Sequence, residues 1–167
     1  MSDYPIDFSG PMVRAILAGT KTQTRRVVKP QPRQINDDFD GTWEWKLPGR
    51  YHDDLVMGTI LRDACPYGQP GDKLLVRQAP GASRLTLGVT GLCVERVQEI
   101  TPEDAKAEGV VPMRLYSDVM RAGHQFDEHL CAFHDLWDRL YAKKGCGWYE
   151  NPFVWAITFR VVKGEGR

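Results

Sequence analysis

The sequence lacks the features that mark membrane-spanning, secreted and metal-binding chains. No apolar stretch approaches the length of a membrane span, and the amino terminus has no basic segment followed by an apolar run, as a signal peptide would. The cysteines form no CxxC pair, which leaves no zinc or redox signature; they are Cys65, Cys93, Cys131 and Cys146. We therefore expect reduced thiols in the cytoplasm, with no membrane partner, no metal and no cofactor.

An excess of either charge is also missing. The 167 residues include 22 lysines and arginines and 22 aspartates and glutamates, so affinity for a nucleic acid must come from an uneven distribution of charge. There are no internal repeats and no low-complexity segments. We predict a single domain over residues 1–167, long enough to bury a core without disulfides. A less regular excursion is predicted at about residues 31–54, where turn-forming residues surround two tryptophans.

The hydrophobic pattern predicts more strands than helices. Helices are expected where apolar residues recur at helical spacing behind capping residues, over 9–19, 101–108 and 126–141. Strands are expected where apolar and β-branched residues alternate, over 3–9, 22–29, 43–45, 57–62, 73–77, 84–100 and 153–162. The order lacks the regular βαβ alternation of a doubly wound sheet. The pattern favours an α+β fold, a small mixed β-barrel with flanking helices.

A stretch without acids lies near the amino terminus. Between Phe8 and Asn36 there is no aspartate or glutamate, whereas basic residues are frequent: Arg14, Lys21, Arg25, Arg26, Lys29 and Arg33. In a chain without net charge, such a block predicts one positive surface suited to phosphate. On charge alone, a solvated face neutralised by acids from elsewhere in the fold explains the block equally well.

The centre of this block, AGTKTQTRR, is the most informative segment of the chain. A helix is expected to end at its glycine, which places Lys21 in a turn before a strand. Thr22, Thr24 and Arg26 then share one face of that strand. A lysine and a hydroxyl at such a junction can serve as a base and a nucleophile. The alternative is an ordinary turn lysine followed by ordinary strand threonines.

Four segments together resemble the ASCH domain proteins found in phages and prophages. They are PMVRAILAGTKTQTRR, CPYGQPGDKLLVRQ, VERVQEITPEDAKAEGV and GWYENPFVWAITFRVV, and AGxKTxTxR is the most specific element among them. The resemblance implies a PUA-like β-barrel. It also implies a cleft that binds RNA, single-stranded nucleic acid or a modified nucleoside.

The resemblance implies a catalytic set as well. Small bacterial members of the wider family are amidohydrolases that remove the acyl group from 4-acetylcytidine with a lysine, a threonine and a glutamate. By motif position these are Lys21, Thr24 and Glu108 in this sequence. Lys21 and Thr24 lie on opposite faces of a regular strand, so they converge only if Lys21 lies in the preceding turn.

One departure from the family pattern favours a second hypothesis, a binding module without catalysis. Relatives usually carry an acid where this chain has Gln78, and a tryptophan where it has Leu75. The binding module would hold RNA or single-stranded nucleic acid through basic and aromatic side chains. The candidates are Arg14, Thr22, Arg25, Arg26, Lys29, Arg77 and Trp148.

Two further groups of residues admit ordinary interpretations. His124, His129 and His134 are five residues apart and do not share a helix face cleanly, so we expect solvated histidines and no metal site. Trp148 lies in a glycine-rich loop, where it can stack on a base or close the mouth of the barrel. Both interpretations of Trp148 remain open.

Overall fold

A five-stranded mixed sheet forms the body of the fold. The computed structural model describes residues 1–35, 42–46, 51–77, 85–112 and 127–162, with the backbone alone at Tyr51, Asp54 and Leu55. Its strands are β1 (Asp3–Asp7), β2 (Gln23–Val27), β6 (Lys73–Arg77), β7 (Leu85–Arg96) and β8 (Phe153–Val162). They lie side by side in the order β1-β6-β7-β8-β2. β1 runs parallel to β6, and the other pairings of this sheet are antiparallel.

The two edge strands of this sheet, β1 and β2, reach each other through side chains. Arg26 Nη2 on β2 donates to the carbonyl oxygen of Asp7 on β1 at 2.6 Å. The Arg26 guanidinium carbon also lies 5.0 Å from the centroid of the Phe8 ring. The sheet is therefore strongly curled, and a cation bridges the gap between its edges.

Helices flank the sheet, and the predicted α+β class is confirmed. In the described part of the chain they are α1 (Gly10–Leu17), α2 (Asp54–Asp63), α3 (Pro102–Ala107) and α4 (Glu128–Tyr141). Thr101 caps α3, because its hydroxyl accepts from the Asp104 amide at 3.1 Å. Gly19 and Gly109 follow α1 and α3 with φ of 75° and 78°, a conformation that glycine adopts without strain.

The segment around Met57 is a helix, so the strand predicted over residues 57–62 is wrong. The Asp53 carboxylate caps this helix by accepting from the Val56 amide at 2.8 Å. Met57 and Leu61, one helical turn apart, are both buried in the core. A short apolar stretch fits either period, and here the cap and the i, i+4 pair decide for the helix.

The excursion forms a second, three-stranded sheet. Its strands pair antiparallel in the order β3 (Arg33–Gln34), β4 (Trp43–Glu44) and β5 (Tyr51–His52). Trp43 and Trp45 are buried in the same cluster as the core of the main sheet. The Trp45 indole also donates to the Pro30 carbonyl oxygen at 2.7 Å. The excursion is thus attached to the body by its aromatic side chains.

The apolar residues divide into two clusters. The first fills the curled sheet and includes Leu85, Leu87 and Val89, which share one face of β7 as predicted. The second lies between the sheet and the helices α3 and α4, and it includes Phe133 and Trp137 of α4. The second cluster matters for the site, because it fixes α4 over the start of β2.

The end of β7 also differs from the predicted strand. β7 ends at Arg96 and not at residue 100, because the Glu99 carboxylate accepts from the Arg96 amide and starts a 3-10 turn. The predictions made for Arg84, Phe126, His124 and Gln78 lie outside the described residues. No helix in the described ranges is long and apolar enough to cross a membrane.

Candidate active site

Lys21 lies just before β2, in the position that convergence with Thr24 requires. It forms an isolated antiparallel bridge with Glu108 and is 2% exposed. Its ammonium group donates to Glu108 Oε2 at 2.8 Å, to the Glu108 carbonyl oxygen at 2.9 Å and to the Gln23 carbonyl oxygen at 2.9 Å. An ammonium has three protons, so its hydrogen-bonding capacity is filled.

Glu108 is held at the end of α3, where the chain turns back towards β2. The Thr22 amide donates to the Ala107 carbonyl oxygen at 2.8 Å, which fastens this end of α3 to the start of β2. A Cβ added to Gly109 would lie 2.7 Å from Lys21 Cβ. Only a glycine lets the two segments approach this closely.

Arg25 joins the carboxylate of Glu108 to two further acids. Its guanidinium donates to Glu95 at 2.7 Å, to Asp104 at 3.0 Å and to Glu108 Oε1 at 3.3 Å. Burial alone would lower the pKa of the Arg25 guanidinium, but the facing carboxylates outweigh it and raise the pKa above its ordinary value. Lys21 and Arg25 face three carboxylates, so this cluster has one negative charge in excess.

Thr24 completes the predicted catalytic set at a small, partly open cavity. The cavity has a volume of about 30 Å³, and its polar lining comes from Lys21, Thr24, Arg25, Arg26 and Glu108. Thr24 is 4% exposed, so its side chain is shielded from bulk solvent. The space holds a water molecule but not a nucleoside.

Helix α4 is the cover of this cavity. The rest of the lining is apolar or aromatic and comes mostly from one face of α4: Phe133, Leu136, Trp137, Leu140 and Tyr141, with Met12 from α1. The cover lies over four buried polar groups, Lys21, Thr24, Arg25 and Glu108. A larger molecule therefore reaches Thr24 only when α4 moves.

The predicted binding residues are spread over several environments. Arg25 is buried among carboxylates, and Arg26 reaches across to β1. Arg77 forms an exposed ion pair with Asp7, and the hydrogen bond from Arg77 holds the pKa of the Asp7 carboxyl below its usual range. Arg14, Thr22 and Lys29 are exposed to solvent.

Trp148 packs against α4 at the edge of the second apolar cluster. Its ring lies 4.9 Å from the ring of His134 and 6.3 Å from that of Phe133. The Trp148 amide donates to the Asp138 carboxylate at 2.7 Å. The other oxygen of Asp138 lies 3.2 Å from His134 Nε2. Among the described residues no group of three or more histidines, cysteines or acids is arranged to hold a metal ion.

Sequence reasoning missed the acids that surround Arg25. Glu95 comes from β7 and Asp104 from the first turn of α3, far from Arg25 in sequence. Asp104 was visible only as a first-turn acid of a predicted helix. Arg25 was expected on a positive surface, and only its burial shows that it needs carboxylate partners, because a buried guanidinium requires them.

Comparison with known proteins gives this fold a family name. No protein-family model and no curated protein matches the chain. The chain is similar to the ASCH domain from Lactobacillus crispatus, with a TM-score of 0.50, 12% identity, and coverage of 96% of this chain and 79% of that one. It is equally similar to a DUF984 protein from Enterococcus faecalis, with a TM-score of 0.50, 12% identity, and coverage of 97% and 81%.

The protein therefore has the ASCH fold. The prediction drawn from the four motif segments is confirmed at the level of the fold. The likeness concerns architecture, and it carries nothing about a phage or prophage origin. Function has to be argued from the site itself.

Proposed function

We propose that the protein is an amidohydrolase that removes the acyl group from an acylated nucleobase such as that of 4-acetylcytidine. The observation that supports this most is that Lys21, Thr24 and Glu108 line one small cavity. Amide hydrolysis through an acyl intermediate needs a nucleophilic oxygen, a group that takes its proton and a group that protonates the leaving amine. The substrate class comes from the resemblance of the AGTKTQTRR segment to family members with this activity.

The proton on Lys21 has to move before the amine can act as a base, because all its ammonium protons are donated in hydrogen bonds. Of the three groups that accept from Lys21, only the Glu108 carboxylate, with Oε2 at 2.8 Å, is basic enough to take this proton. When an acyl group replaces water in the cavity, loss of solvent disfavours the two separate charges. A proton shift from Lys21 to Glu108 then gives a neutral amine and a neutral acid.

The chemical steps follow from this neutral pair. Lys21 takes the Thr24 hydroxyl proton as the oxygen attacks the carbonyl carbon and a tetrahedral intermediate forms. Glu108 gives its proton to the leaving nitrogen as the C–N bond breaks. Water then hydrolyses the ester on Thr24, with Lys21 and Glu108 again relaying protons, and the ion pair is restored.

The test is the release of cytidine from 4-acetylcytidine, followed by chromatography. We expect turnover by the wild type, none by Lys21→Ala or Thr24→Val, and a reduced rate with Thr24→Ser, which keeps the oxygen. Loss of a base or nucleophile commonly costs several orders of magnitude in kcat. Lys143→Ala, which removes an exposed lysine remote from the cavity lining, is the matched control. Turnover that survives Lys21→Ala, or a wild type inert towards several acylated nucleosides, would contradict the proposal.

Binding of RNA or single-stranded nucleic acid without catalysis is the weaker candidate. Of the predicted binding residues, Arg25 and Arg77 already face carboxylates, so fewer cations remain for phosphate. The exposed Arg14 and Lys29 are what supports this candidate. It would take first place if the wild type bound RNA with a steep dependence on salt and showed no turnover.

A further inference from the structure

Arg26 carries a buried hydrogen-bond donor without a partner. Its Nε is the one buried side-chain nitrogen or oxygen, among the residues that the structure describes, that forms no hydrogen bond. Native structures rarely leave such a group unsatisfied, because a buried donor without an acceptor has lost its hydrogen bond to water and gained none in return. The position therefore suits a hydrogen-bond acceptor supplied by a bound molecule.

The position of the guanidinium is fixed by its other contacts. Nη2 donates to the Asp7 carbonyl oxygen at 2.6 Å, and the guanidinium carbon lies 5.0 Å from the Phe8 ring centroid. Arg26 lines the same cavity of about 30 Å³ as Thr24 and Lys21. The unsatisfied donor therefore belongs to a side chain that is already held in place beside the predicted nucleophile.

The strand register places this donor beside Thr24. Thr24 and Arg26 are two residues apart on β2, opposite Ile157 and Trp155 of β8, so their side chains leave the same face of the strand. Residues at this spacing are about 6.6–6.8 Å apart along a strand. When α4 moves and a carbonyl carbon comes to the Thr24 oxygen, the carbonyl oxygen can point along this face towards Arg26.

We propose that Arg26 Nε–H donates a hydrogen bond to the carbonyl oxygen of the scissile amide and to the oxyanion that forms from it. This inference rests on the proposed amidohydrolase function. As the Thr24 oxygen bonds to the carbonyl carbon, the π electrons of the carbonyl move to its oxygen, and Arg26 meets that developing charge. When the C–N bond breaks, the electrons return to the carbonyl and the nitrogen leaves with the proton from Glu108. Arg26 keeps its proton throughout.

The kinetic test compares Arg26→Lys with the wild type on 4-acetylcytidine. Lysine keeps the positive charge and can still reach the Asp7 carbonyl, but it has no Nε–H. Removal of one such donor commonly lowers kcat by about 10²–10³, and we expect a loss of that size with KM changed little. Arg62→Lys, an exposed pair with Asp63, is the matched control and should keep wild-type kinetics. A kcat for Arg26→Lys equal to that of the wild type would overturn the inference.

A second measurement does not depend on turnover. The Nε–Hε resonance of Arg26 in ¹⁵N NMR spectra is assigned by its disappearance in Arg26→Lys, whose fold is checked by thermal unfolding. Titration with N-methylacetamide should move this resonance saturably in the wild type and in Thr24→Val, whereas cytidine without an acyl group should leave it in place.

The two measurements separate the inference from the proposed function. An inert wild type whose Arg26 resonance still responds to the amide would refute the amidohydrolase and leave the acceptor site standing. A resonance that does not respond to N-methylacetamide would overturn the role of Arg26, whatever the activity. A water molecule held permanently by Nε predicts that second result.

Discussion

At the scale of single residues, the buried ion pair between Lys21 and Glu108 is the most consequential feature. Two buried charges gain from each other only when their remaining hydrogen bonds are also made, and Lys21 meets that condition with two carbonyl oxygens. Glu108 meets it by sharing its second oxygen with Arg25. Removal of Glu108 leaves the Lys21 charge buried without a carboxylate beside it, whereas removal of Lys21 leaves Glu108 with Arg25 as its partner.

We therefore predict that Glu108→Gln lowers the free energy of unfolding by about 3–5 kcal/mol, the range for breaking a buried pair. The double variant Lys21→Met with Glu108→Gln should be less destabilised than the sum of the single changes, because no uncompensated partner remains. Urea denaturation measures both. Asp63→Asn, at an exposed pair with Arg62, is the control and should cost at most about 1 kcal/mol. Additive effects at Lys21 and Glu108 would show that the pair is not coupled.

Sequence reasoning named Lys21, Thr24 and Glu108 as candidates but did not predict what surrounds them. The motif places the lysine and the threonine within one local segment, but their spacing brings them together only because Lys21 lies in the turn before β2. Glu95 and Asp104 reach Arg25 from other elements, and only the packing of α3 against the sheet brings them there. A positive surface was predicted from the same arginine, because a linear sequence does not show which charges the fold will pair.

At the scale of elements, helix α4 decides access to the site. Its apolar stripe was predicted from helical spacing. Such a stripe predicts that one face of the helix is buried, but not which residues that face covers. In the structure the covered surface includes Lys21 and Thr24 together with ordinary core residues. On the proposed function, α4 therefore has to move before a substrate can reach Lys21 and Thr24.

Loosening the start of α4 should expose Lys21. The Asp127 carboxylate caps this helix by accepting from the amides of His129 and Leu130 at 2.8 and 3.1 Å. Asp127→Ala removes the cap at a cost of about 0.5–2 kcal/mol, so the covered state becomes less favoured. We expect faster acetylation of Lys21 by an amine-reactive reagent, measured by mass spectrometry relative to the exposed Lys29.

The control for this experiment is Asp53→Ala, which removes the cap of α2 instead. It should weaken the fold by a similar amount without the same gain in Lys21 labelling. If Lys21 were labelled as fast as Lys29 in the wild type, α4 would not be an effective cover. The same cap explains why the segment around Met57 is a helix and not the predicted strand. The spacing of apolar residues, on which the prediction depended, does not show such a cap.

At the scale of the whole molecule, the excursion shares the core of the main sheet. The sequence predicted an irregular segment with a short strand at Trp43, and that strand is confirmed. Its attachment could not be predicted, because it depends on which apolar surface receives the two tryptophans. Trp43 packs edge-on against Phe153 of β8, with ring centroids 5.2 Å apart.

Trp45→Ala should therefore destabilise the whole fold by about 3–5 kcal/mol, as large-to-small changes of buried aromatic residues do. Unfolding should remain a single transition, with far-ultraviolet circular dichroism and the fluorescence of the remaining tryptophans changing together in urea. Lys46→Ala, at the exposed neighbouring position, should cost far less. An early fluorescence transition ahead of the loss of secondary structure would indicate that the excursion unfolds by itself.

The contact between Lys21 and Glu108 joins residues 87 positions apart in the chain. Such a contact is entropically costly to form early, because a long loop must close before it contributes any stability. In a partly folded chain that has only local helices and hairpins, the lysine and the threonine are near each other in sequence, but the carboxylate is not yet beside them. Its reactive groups stay apart from one another until the sheet and α3 are both assembled. On the proposed function, chemical competence therefore emerges late in the life of each newly made chain, and it coincides with completion of the native topology.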